Sequence, residues 1–61
     1  MKEIYNGYEL STAWDDEALG FGFSVHDKNG GEVSHSTDPY FYEENALTAA
    51  RTAADALPAQ E

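Results

Sequence analysis

The stretch Ile4-Tyr5-Asn6-Gly7-Tyr8-Glu9-Leu10-Ser11-Thr12-Ala13-Trp14 decides how many strands the chain can form. Ile4, Tyr8, Leu10 and Trp14 fall at even positions with Thr12 in phase, and Glu9 and Ser11 lie between them. That period of two marks a half-buried strand. Two readings of Asn6-Gly7 compete. The dipeptide is the strongest short signal for a two-residue hairpin turn, which would cut the stretch in two. A glycine kink inside one continuous strand keeps Ile4 on the face of Tyr8 and Leu10. This agreement of phase favours a single strand over residues 4–14.

Working outward, Asp15-Asp16-Glu17 forms an acidic connection, and the period of two resumes with Leu19, Phe21, Phe23 and Val25 on one side. The other side carries only Gly20, Gly22 and Ser24. Such bareness permits a strand twist or the close approach of another molecule, and twist is the commoner cause. Asp27-Lys28-Asn29-Gly30-Gly31 reads as a three-residue hairpin with Gly30 in the left-handed position. Closing it that way sets Val25 opposite Val33, Phe23 opposite His35 and His26 opposite Glu32, with a third strand over residues 32–36.

Residues 43–57 are alanine-rich and read as a helix. Glu43 and Glu44 suit the positive end of its dipole, and Pro58 stops it. Leu47, Ala50, Ala54 and Leu57, flanked by Ala46 and Ala53, make one apolar stripe that can lie close against the aromatic face of a sheet. Pro58-Ala59-Gln60-Glu61 reads as a frayed tail. The expected fold is α+β, a three-stranded antiparallel meander with one C-terminal helix on one face, in a single domain over residues 1–61.

Composition narrows the function. A chain of 61 residues has room for one core and buries only about 60% of its unfolded surface. Without cysteine it has neither disulfides nor thiolate metal sites, which fits a reducing cytoplasm. No basic, apolar leader or membrane-length run is present, so the expectation is a cytoplasmic protein. Twelve Asp and Glu face three Lys and Arg, for a net charge of −9. Phosphates are bound by Lys and Arg, so nucleic acid and anionic membrane are excluded as direct partners. One Trp, four Tyr and three Phe with 41% hydrophobic residues are more than a disordered chain carries.

Catalytic and metal chemistries do not assemble. In the expected register His26 and His35 point to opposite faces, an exposed His26 near Glu32 and a partly buried His35, so they cannot chelate together. Ser34 or Ser36 with His35 and Asp38 alternate along a strand with no nucleophile elbow. The pairs Asp15-Asp16 and Glu43-Glu44 have no deep cleft to shift their pKa values. The acidic hairpin at Asp27 lacks the span of a calcium loop. The expectation is a non-enzyme without cofactor or metal.

The carboxylates themselves are then the candidate site. Asp15, Asp16 and Glu17 cluster at one sheet end, Glu9 and Glu32 line the outer face with His26, and Glu43, Glu44 and Asp55 project from the helix. Their spacing of several Å is comparable to the ~7 Å between adjacent phosphates of DNA. The charge also exceeds the ~2 to 8 that solubility asks of a small domain. In Tyr40-Phe41-Tyr42 the run plugs the open end of the core and leaves a ring for contact, with Tyr40 or Trp14 the aromatic a partner would meet.

The length, the β-β-β-α order and the run Tyr40-Phe41-Tyr42-Glu43-Glu44-Asn45-Ala46-Leu47 into Ala53-Ala54-Asp55-Ala56-Leu57 resemble the small acidic anti-CRISPR proteins encoded by phages, most of all those against type I-C systems. The resemblance implies an inhibitor acting in the bacterial host cell, and the expectation is a monomer. Its partner would be a basic DNA-binding subunit of a CRISPR effector complex (Cascade), such as the one reading the short signal beside the target, and a DNA-mimicking surface would block DNA access. The alternative reading is an immunity-type, phage or bacterial interaction module that uses its aromatic cluster. A third is a subunit or homodimer that adds an edge strand to another sheet.

Overall fold

In the computed structural model, which describes residues 1–58, Asn6 and Gly7 have φ of 54° and 83°. Both central residues are left-handed, as a type I′ turn requires. Strand β1, Lys2–Tyr5, therefore folds back on β2, Tyr8–Asp15, with Tyr5 opposite Tyr8 and Ile4 opposite Glu9. The single strand expected over residues 4–14 is two. With β3, Gly20–His26, and β4, Glu32–His35, the sheet is a four-stranded antiparallel meander in the order β1-β2-β3-β4. Helix α1, Glu43–Asp55, packs on one face. The α+β class and the C-terminal helix are as expected, but the strand count is four rather than three.

The physical reason is what the reversal brings to the helix. It turns Ile4 outward, where it is exposed. In exchange Tyr5 packs against the core, and Glu3 reaches Arg51 through two hydrogen bonds of 2.6 Å. The Tyr5 hydroxyl donates to Asp55 at 2.8 Å and Asn6 Nδ2 to the same oxygen at 3.3 Å. One exposed aliphatic side chain is outweighed by a turn that suits Asn-Gly and by a polar seam joining the first strand to the last element.

The core follows the pattern of large against small. Tyr8, Leu10 and Val25 rise from the sheet into Ala46, Leu47, Ala50 and Ala54, and Phe23, Ala53 and Leu57 pack around them. Leu10 and Val25 sit opposite one another on β2 and β3 and are wholly buried. The Tyr8 hydroxyl donates to the Pro58 carbonyl beyond the helix. Residues 59–61 of the expected tail lie outside the described residues. Trp14 shares the phase of Leu10 but lies beyond the helix start, so it is half exposed with its ring edge-on to Phe21 at 5.3 Å. Leu19 leaves the strand pattern altogether and sits exposed in the β2–β3 loop.

The second hairpin closes as expected at Gly30, whose φ is 87°, and His26 does face Glu32. A bulge then follows. Val25 faces Ser34 and Ser24 faces His35, so neither the Val25–Val33 nor the Phe23–His35 pairing forms. Val33 is the extra residue and is exposed. The slip turns His35 onto the outer face that His26 also occupies. The expected opposition of the two histidines is thereby corrected, and so is their burial, since His35 is exposed and His26 half-buried.

The bare side of β3 is used by the chain itself. Ser36 donates its amide to the Phe23 carbonyl at 2.9 Å, residues 37–39 detour outward, and Tyr40 returns to bridge Phe21 with bonds of 2.7 and 2.9 Å. A Cβ on Gly20 would stand 2.6 Å from that of Pro39. The glycine thus makes room for the chain's own detour, neither for twist nor for a foreign molecule. Replacing Gly20→Ala should cost about 1–3 kcal/mol through overpacking. At about 4–8 °C per kcal/mol for a domain of this size, calorimetry should record a Tm lower by at least about 4 °C.

Candidate protein-binding surface

The molecule is elongated, 34 × 18 × 17 Å, and the sheet and helix distribute the candidate residues to its two ends. The helix runs antiparallel to β2. Its first residue, Glu43, accepts the Thr12 hydroxyl at 2.8 Å, and near its end Asp55 meets Tyr5 and Asn6. One end therefore carries Asp15, Asp16 and Glu17 in the β2–β3 loop with Tyr40 near it, and Glu43 and Glu44 open the helix beside Thr12, about 10 Å along β2 from Asp15. Glu9, Glu32 and Asp55 lie toward the other end, roughly 20 Å away along β2. The nine expected contact residues do not form one track.

At the first end each carboxylate has a different degree of freedom. Asp15 Oδ1 accepts the amides of Glu17 at 2.9 Å and Ala18 at 3.3 Å, capping the loop. Asp16 accepts the Trp14 indole N–H. Glu43 is held between the Thr12 hydroxyl and the chain's amino group at 3.3 Å, which together keep its pKa below the usual carboxylate value. Glu17 and Glu44 make no side-chain bond of this kind among the described residues. They are the carboxylates most available to a partner, and Asp15 and Glu43 carry structural work as well as charge.

The aromatic run divides in two. Tyr40 is half-buried, tied by its backbone to Phe21 and with its ring 6.3 Å from that of Phe23, so it alone forms the plug. Phe41 and Tyr42 are exposed and lie 4.9 Å apart. Among the described residues no ion pair joins the acidic loop to a cation, although Met1 and Lys2 line the same shallow depression as Trp14, Asp15 and Asp16. Arg51 is engaged by Glu3, Lys2 lies 3.8 Å from Glu9, and Lys28 belongs to the turn at the opposite end.

Toward that opposite end, Ile4, Glu9, His26 and Glu32 form one row across the four strands of the outer face. His35 Nδ1 lies 3.7 Å from Glu32, and His26 Nδ1 is buried without a hydrogen-bond partner. Among the described residues no group of three His, Asp or Glu is placed to hold a metal ion. No described helix is long and apolar enough to cross a membrane. No family model, curated protein or solved structure matches the chain.

The sequence pattern does not reveal the exposure of Leu19, nor that Tyr40 is the plug while both Phe41 and Tyr42 are the rings left over. For Leu19 the usable signal was the loop length, since four residues between Asp15 and its partner Gly20 leave the last of them left-handed. Its phase with Phe21 concealed this. For the rings no local signal exists, because burial in a three-residue aromatic run depends on where the helix begins.

Two carboxylates are tied to the fold in the sense that sets acid stability. Glu3 is lowered by its hydrogen bonds and charge pairing with Arg51, and Glu43 by the Thr12 hydroxyl and the amino group. A carboxylate lowered in the folded state stabilises above its unfolded value of about 4.3 and loses that contribution as pH falls through its folded value. The Tm gap between the native chain and Glu43→Gln should therefore be widest near neutrality. Thermal melts should show it closing as pH drops below about 4.

Proposed function

We propose that the protein is a non-catalytic binding module whose acidic end docks into a Lys- and Arg-lined surface of a DNA-binding protein and so competes with DNA. The observation that carries this reading is that Asp15, Asp16 and Glu17 in the loop and Glu43 and Glu44 at the helix start follow one another along the sheet near exposed aromatic rings, while Arg51 and Lys2 pair with Glu3 and Glu9. Uncompensated carboxylates raise the local potential and steer a basic partner toward them. The resemblance to anti-CRISPR proteins supplies the particular partner, a DNA-reading subunit of a type I-C effector complex in the bacterial cytoplasm.

The mimicry is local. The set at the other end, Glu9, Glu32 and Asp55, is committed to Lys2, His35 and the Tyr5–Asn6 corner, so a partner would meet a single acidic face and not a DNA-length track. A second reading, an interaction module that binds through aromatic rings, is favoured by the exposure of Phe41 and Tyr42. It differs in its response to salt.

The test uses a purified type I-C effector complex immobilised for interferometry. Binding should weaken by at least about tenfold between 50 and 500 mM salt, as screening predicts for exposed charges. Asp16→Lys, Glu17→Lys and Glu44→Lys together should abolish it and restore target DNA binding, and all three side chains can change while Asp15 keeps the loop amides and Glu43 keeps the Thr12 hydroxyl. Normal binding by the folded triple variant would end the mimicry reading. Salt-insensitive binding lost in Phe41→Ala/Tyr42→Ala would select the aromatic one.

A further inference from the structure

We infer that the β2–β3 loop is an anchoring knob, in which Leu19 and Trp14 enter an apolar pocket on a partner protein whose rim carries Lys and Arg. The inference rests on the proposed docking of the acidic end and names what that end grips. Leu19 is 74% exposed, Phe41 76%, Tyr42 60% and Trp14 51%, four of the seven large hydrophobic residues exposed on the described chain. The topology brings their segments together, since Trp14 and Leu19 flank the loop closed by Asp15 and Gly20, and Phe41 and Tyr42 follow the Tyr40 bridge to Phe21. Neighbouring apolar exposure of this kind marks contact surfaces, whereas scattered exposure does not. Leu19 also stands at φ 57°, where Gly or Asn is favoured and an aliphatic side chain is not. Conformation and solvation both disfavour leucine there.

The loop backbone and the Trp14 ring are held by contacts within the fold. Asp15 caps the loop amides, and Asp15 pairs with Gly20 across the hairpin. The Trp14 ring is fixed between the edge of Phe21 and the carboxylate of Asp16. Preorganised apolar side chains bind with little loss of freedom. The occupant follows from charge. A second copy would set −9 against −9, and nucleic acid or anionic lipid would be repelled by Asp16, Glu17 and Glu44. A protein pocket with a basic rim satisfies both the apolar centre and the acidic surround.

Trp14 is the only tryptophan, so its emission reports on this end alone. The probes are two synthetic peptides of equal positive charge, one of Arg spaced by Gly and Ser, the other of Arg interleaved with Leu. The leucine-bearing peptide should bind at least about tenfold more tightly and shift Trp14 emission to the blue. Leu19→Gly and Leu19→Asn both suit the loop, should leave Tm unchanged or higher, and should bring the two peptides within about twofold of each other. Equal affinity of the native chain for the two peptides, an undiminished preference in the Leu19 variants, or the lack of a blue shift would overturn the anchor. So would a dimer in light scattering that buries Trp14 without peptide. If Asp16→Lys/Glu17→Lys/Glu44→Lys loses both peptides while the Leu19 variants lose nothing, the acidic reading stands and the anchor falls. If that charge variant binds both peptides unchanged, the acidic reading fails and the basic rim with it.

Discussion

Everything in this small fold depends on two consecutive left-handed residues. The type I′ turn at Asn6-Gly7 reverses the chain after four strand residues, and the hairpin it creates is the only route by which the beginning of the sequence reaches the helix near its end. Without it Glu3 and Tyr5 would have no access to Arg51 and Asp55. A sheet of three strands under one helix has few long-range polar contacts. The fourth strand adds a bidentate ion pair and two further hydrogen bonds across it.

That geometry also explains where charge remains. The fold spends its few cations on carboxylates of its own, Arg51 on Glu3 and Lys2 on Glu9, both toward the middle and the turn end of the sheet. The loop end has no such compensation among the described residues beyond the amino group beside Glu43. Net charge is a bulk number, but its distribution is a product of topology. A helix running antiparallel to β2 sets its acidic first turn near the acidic β2–β3 loop, and the two add.

Much of this was legible in the residues and some could not have been. The helix stripe of Leu47, Ala50 and Ala54 and the phase of Leu10 and Val25 are dictated by period, and the structure buries them as the period requires. Asn6-Gly7 carries strong turn chemistry, yet the phase of Ile4 with Tyr8 argues for one continuous strand. Periodicity in a stretch this short cannot tell a kink from a reversal, since a two-residue turn followed by a hairpin preserves alternation on both arms. The bulge at Val33 inserts one residue without any composition cue, so the facing of His35 was out of reach. The acidic residues were identifiable one by one, but their division between two ends required the direction of the helix.

The detour through Pro39 and the bulge at Val33 bear on a different property, which is how the sheet ends. An antiparallel sheet has two open edges, each a template on which another chain can add a strand. Along β4 the bulge breaks the hydrogen-bonding row, and the chain leaves and rejoins the ladder at Tyr40, so no continuous run of free amides and carbonyls faces outward there. Only β1 offers a regular edge, and it is four residues long and begins at Lys2. At neutral pH the net charge of −9 opposes the approach of a second copy. When acid neutralises the carboxylates, the interrupted edge is what still stands between this sheet and a polymer of sheets.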